Sequence, residues 1–139
     1  MEHTDHKHTV RERVFSALRE VAFADSRFHF DFGEFITDFV GSSAATDRLM
    51  AHRYYQQSEC IFITPDNCIE ELRYRTLCDG KRILMTTYSI RRGFWLLDPA
   101  TIPKDRLLYA ATLDGMERHG RHMTPVSYTH LTLPTKRIV

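Results

Sequence analysis

The stretch from Cys60 to Met85 constrains this chain most, because it sets two short unbroken apolar runs around a segment of helical pattern. Cys60-Ile61-Phe62-Ile63 and Ile83-Leu84-Met85 each have the length of a strand buried on both faces. The residues between them carry start and stop signals of their own. Asn67 and Glu70 stand in the N-x-x-E relation of a capping box, Ile69, Leu72 and Leu77 share one face, and Gly80 stands where a left-handed cap ends a helix. The pattern is a βαβ unit, and such units cross over right-handed in a parallel sheet.

Composition narrows the class around that unit. With 139 residues, 42% hydrophobic and 27% charged, the chain reads as one globular domain or part of one. A complete domain of this size buries about two-thirds of its unfolded surface, enough for a core. Lysine and arginine number 19 against 18 aspartate and glutamate, a net charge of +1, so electrostatics give no general argument for nucleic acid or an anionic membrane. Cys60, Cys68 and Cys78 are an odd set at wide spacing, and two of them fall on expected buried positions; this favours reduced thiols and a cytoplasmic location over disulfides or zinc. The polar opening Met1 to His6 is unlike a secretory signal, and no stretch has the length of a membrane span.

Elsewhere the chain divides into short elements. Thr9 and Glu12 form a capping box, and Val10, Val14, Leu18 and Val21 recur at helical spacing, which predicts a first helix from Thr9 to about Ala24. Residues 25–37, rich in phenylalanine, suit either a strand or an ordered loop. Gly41-Ser42-Ser43 offers a cap for a second helix through Leu49 and Met50. Arg91-Arg92-Gly93 reads as a turn, Phe94 to Leu97 as a third strand stopped by Asp98-Pro99, and Thr101 to Leu113 as partly helical, with another short helical piece ending at Gly120.

Several of these stretches, in order, resemble one family. Lys7-His8-Thr9-Val10-Arg11 resembles the K-x-x-x-R opening of 5-formyltetrahydrofolate cyclo-ligase-like proteins, and Asp38 to Ala45 resembles the N-F-x-G-x-x-x-A segment of one branch of it. Thr64-Pro65-Asp66, Arg73, Asp79-Gly80-Lys81, Arg91 to Pro99, and Gly115 with His119-Gly120 continue the same order to about residue 120. The resemblance implies an α/β fold, an open and mostly parallel sheet of the ribose-5-phosphate isomerase and CoA-transferase type. It also implies an ATP- and Mg2+-dependent closure of 5-formyltetrahydrofolate to 5,10-methenyltetrahydrofolate. In that reaction the formyl oxygen takes a phosphoryl group, the ring closes and phosphate leaves, so catalysis rests on positioning and on stabilising phosphate charge.

Four residues carry the implied site. With Thr9 as N-cap, Lys7 falls just outside the helix and Arg11 in its first turn, so two cations stand beside free backbone N–H groups, a place suited to the phosphates of ATP. Both also suit a solvated helix start. Asp66 follows the first core strand, where open α/β sheets place ligands. The family's folate-contacting acid falls on Asp66 or on Glu70, and each also suits a helix cap. Phe39 is a candidate wall of the same crevice or a core aromatic.

Two features depart from the family. Its D-L-V-V strand and glycine-rich G-K-G-x-G-Y-x-D segment, whose N–H groups cradle phosphate, have no counterpart in this sequence. Val126 to Thr135 resembles the read-through translation of a sequencing-library transposase adapter, which implies a native part at residues 1–124 and a foreign tail at 125–139. The expectation is therefore a truncated, inactive N-terminal part whose sheet edges invite aggregation. The competing reading from another class is a non-catalytic module that binds a nucleotide, RNA or a protein on the same fold.

Overall fold

The computed structural model describes residues 2–23, 38–86 and 93–123. In chain order these form α1 (Glu2–Val21), α2 (Ser42–Ala51), α3 (Arg53–Gln57), β1 (Cys60–Phe62), α4 (Glu70–Cys78), β2 (Arg82–Thr86), β3 (Phe94–Leu97), α5 (Leu107–Ala110), α6 (Leu113–His119) and β4 (Arg121–Met123). Residues 25–37, the turn at Arg91-Arg92 and the tail from 125 onward lie outside the described residues.

The strand, helix, strand reading of Cys60 to Met85 holds. β1 and β2 pair in parallel, Ile61 opposite Ile83 and Phe62 opposite Leu84, with α4 making the connection. Gly80 ends that helix at φ 79°, a left-handed conformation that costs glycine little. The capping box does not form. A 3₁₀ turn at Asn67–Ile69 precedes α4, Asp66 takes the cap position, and no side chain caps the turn. The Asp66 carboxylate instead accepts a hydrogen bond from the Thr64 hydroxyl at 2.6 Å.

The sheet itself is mixed, not mostly parallel. Its order is β1-β2-β3-β4, and both later pairings, β2 with β3 and β3 with β4, are antiparallel. Residues 87–93 are too few for a parallel crossover, which takes about a dozen or more residues, so β2 and β3 close as a hairpin.

Alternation along the strands builds two cores. Ile61, Ile63, Ile83, Met85, Trp95 and Leu97 face the helices and pack with Leu72 and Leu77 of α4 and with Leu107, Ala110 and Met116 of α5 and α6. Cys60, Leu84, Leu96 and Met123 face the other way, joined by Phe62 and Phe94. Ile83, Met85, Leu97 and Met116 are each 0% exposed, worth about 1.5–3 kcal/mol apiece. Gly115 is required where α6 meets α5: a Cβ there falls 1.7 Å from the Tyr109 carbonyl oxygen.

α1 departs from expectation at its start and in its packing. It begins at Glu2, and Thr9 lies inside it with its hydroxyl donating back to the Asp5 carbonyl at 2.9 Å, so Thr9 caps nothing. Most of the predicted apolar stripe stays in solvent: Val10 is 41% exposed, Val14 58% and Val21 39%, while Leu18 is half-buried. The helix joins segment 38–40 at its far end, through an antiparallel bridge between Ala22 and Phe39. α2 is also capped differently from expectation: Gly41 takes the N-cap at φ 100° without a side-chain bond, and Ser43 donates to Glu71 on α4.

Candidate functional site at the end of β1

Beyond β1 the backbone leaves the sheet through Ile63, whose N–H still donates to the Leu84 carbonyl, and enters Thr64-Pro65-Asp66. Arg73 fixes this loop. Its guanidinium, 2% exposed, donates to the Thr64 carbonyl at 2.9 Å, the Asp66 carbonyl at 2.7 Å and the Ala111 carbonyl at 2.7 Å. One buried cation thus ties the end of β1 to the α5–α6 junction. Hydrogen bonds from a charged donor contribute about 1.5–3 kcal/mol, and a guanidinium fork can serve several acceptors at once.

A cysteine stands directly beyond this loop. Cys68, half-buried in the 3₁₀ turn, has its thiol pushed up to about 11, chiefly by burial and then by the carboxylates of Asp66 and Asp38; a backbone hydrogen bond and the Arg73 charge pull the other way. The Asp38 carboxylate also accepts from the Phe39 N–H at 2.9 Å. The charges of Asp38 and Asp66, 28 residues apart in sequence, both act on the Cys68 thiol. The two carboxylates offer acceptors to N–H donors. Glu70, the other match for the family's acid, opens α4 and is half-buried.

The structure does not bring Lys7 and Arg11 to a helix N-terminus. The N–H groups open to an anion are those of the first four residues of α1, from Glu2 on, so the helix-terminus argument for phosphate falls. The two side chains sit one turn apart on one face. Arg11 lies over the Phe15 ring at 5.6 Å and lines a hollow of about 480 Å³ with His8, Glu12 and Arg19. At 1.5 Å per residue, Arg11 lies about 16 Å along the helix axis from the Ala22 bridge.

Asp79-Gly80-Lys81 sits at the opposite end of the parallel pair. Lys81 donates to the Ser58 carbonyl at 2.6 Å and the Gln56 carbonyl at 3.3 Å, and stands 5.1 Å over the Tyr55 ring. The Tyr55 hydroxyl donates to Asp79 at 2.6 Å, and burial, reinforced by Asp79, pushes that phenol up to about 12. These bonds staple α3 to the helix end, and the lysine is committed to carbonyls. His122 stacks edge-on to Trp95 at 4.8 Å and His119 to Tyr109 at 5.8 Å, while Arg53 and Tyr54 lie over each other at 5.0 Å.

Among the described residues no helix is long and apolar enough to cross a membrane, and no group of three or more His, Cys, Asp or Glu is arranged to hold a metal ion. No family model, curated protein or solved structure matches the chain.

Proposed function

We propose that residues 7–120 belong to a 5-formyltetrahydrofolate cyclo-ligase-like enzyme with a sheet of the ribose-5-phosphate isomerase and CoA-transferase type, and that the end of β1 receives the reduced folate. The observation that supports the reading is the Thr64-Pro65-Asp66 loop at the end of β1, held by a buried arginine, with the charges of both Asp66 and Asp38 acting on Cys68 in the turn that follows. On this reading Asp66 accepts hydrogen bonds from the N–H groups of the folate ring and Phe39 packs on its face. ATP supplies the phosphoryl group when bound, and Lys7 and Arg11 offer its phosphates two cations from side chains alone. Mg2+, when bound, would neutralise charge on the phosphates of ATP, a role that takes one or two carboxylates beside the phosphates themselves.

The test is equilibrium binding of 5-formyltetrahydrofolate to the 139-residue chain, with Asp66→Asn beside it. Saturable binding that weakens in the variant is the expected result. A wild-type chain that does not bind this ligand rejects the reading. With ATP added, this chain is expected to bind the ligand without forming the methenyl product, and appearance of that product's absorbance rejects the non-catalytic alternative.

A further inference from the structure

We infer that Arg73 is the positioning residue of the ligand loop: its guanidinium fork, not its charge alone, sets Thr64-Pro65-Asp66 in the conformation that receives the folate. The inference rests on the folate reading for its ligand and on geometry for its clamp.

The geometry is unusual for an arginine. α4 buries Leu72, Arg73, Thr76 and Leu77, so the cation sits within the arc of the helix that faces the core. A buried guanidinium is costly unless its donors are used, and Arg73 spends them on main-chain carbonyls from two separate segments. Two of those acceptors bracket Pro65, the residue that turns the chain out of the sheet. The Thr64 hydroxyl then holds the Asp66 carboxylate from the side. Thr64 and Asp66 are thus fixed through backbone and side chain together, a preorganisation that lowers the cost of ordering a loop on binding. Both loop carbonyls accept from Nη1 and the Ala111 carbonyl from Nε, so a lysine, with all its donors on one nitrogen, keeps the charge but has no fork to hold both segments at once.

Two cysteines make the inference measurable without any ligand. Cys68 lies in the 3₁₀ turn that follows directly on the loop Arg73 fixes, while Cys60 is buried in the sheet at 5% exposure and reports opening of the whole fold. In a chain with exposed Cys78 replaced by serine, alkylation is followed across pH at both sites, in the wild-type background and with Arg73→Lys. The expected result is that Cys68 reacts about tenfold faster or more near pH 8 in the lysine variant, as its pH profile shifts from about 11 toward an ordinary thiol. Cys60 keeps its rate, and affinity for 5-formyltetrahydrofolate falls by about tenfold or more, the equivalent of one pKa unit. Equal acceleration at both cysteines makes Arg73 a residue of global stability and overturns the inference, as does release of Cys68 with folate affinity unchanged. A wild-type chain that fails to bind folate sinks the reading beneath it. The cysteine pair tells that failure apart from failure of the clamp, because it needs no ligand.

Discussion

α1 and α4 are both helices with an apolar stripe in sequence, and they meet opposite fates. α4 lies between two parallel strands, buries Leu72 and Leu77 against them, and takes a charged residue in with it. α1 joins segment 38–40 through the bridge that follows it and leaves Val10 and Val14 in solvent. The difference is one of connection. A helix between paired strands is held against the sheet by both ends, whereas among the described residues α1 is tied at one end, through the Ala22–Phe39 bridge. A periodic stripe shows that a helix can pack, and only topology shows whether it does.

That contrast orders the expected effects of mutation. Arg73→Ala should cost most, about 3–5 kcal/mol in denaturant unfolding, because it leaves the Thr64, Asp66 and Ala111 carbonyls without their charged donor. Gly115→Ala should follow at about 3 kcal/mol, since its new methyl meets the Tyr109 carbonyl and the α5–α6 contact must open. Ile83→Val, one methylene in the main core, should cost about 1 kcal/mol. Val14→Ser on α1 should change stability by less than about 0.5 kcal/mol. A loss of 2 kcal/mol or more at Val14, on the order of a buried side chain, breaks the comparison and gives α1 a packed role.

The same regions respond to alkali. Cys68 and Tyr55 both have their proton affinity raised by folding, so the native state binds more protons than the unfolded chain above pH 9. Their contribution is fully present below the ordinary thiol value and is lost as pH rises through about 11 and then about 12. Thermal unfolding scanned from pH 7 to pH 11 should fall only on the alkaline side, and Cys68→Ser should flatten the first part of that fall.

Much of the centre was legible because burial there is strong and local. Cys60 to Ile63 and Ile83 to Met85 have no polar interruption, and Gly80 marks the helix end. Mixed pairing was readable in part: Arg91-Arg92-Gly93 marks a turn, and a connection that short between strands implies a hairpin, whereas the expectation of a mostly parallel sheet came from the family resemblance. Arg73 left a signal of a different kind. On a helical wheel it falls among Ile69, Leu72, Thr76 and Leu77, and a cation in such an arc requires buried acceptors. Which carbonyls those are depends on the α5–α6 junction, 38 residues away, and no local pattern encodes that. The start of α1 was misplaced because Thr9 and Glu12 match a capping box equally well inside a helix that an earlier polar segment has already begun.

The central claim is that the loop after β1, locked by Arg73, is the seat of a reduced folate. Its most direct measurement is alkylation of Cys68 in the Cys78→Ser chain as 5-formyltetrahydrofolate is titrated in. The account predicts saturable protection of Cys68, with Cys60 unaffected and protection weakened by Asp66→Asn. Unchanged Cys68 reactivity at every folate concentration contradicts it.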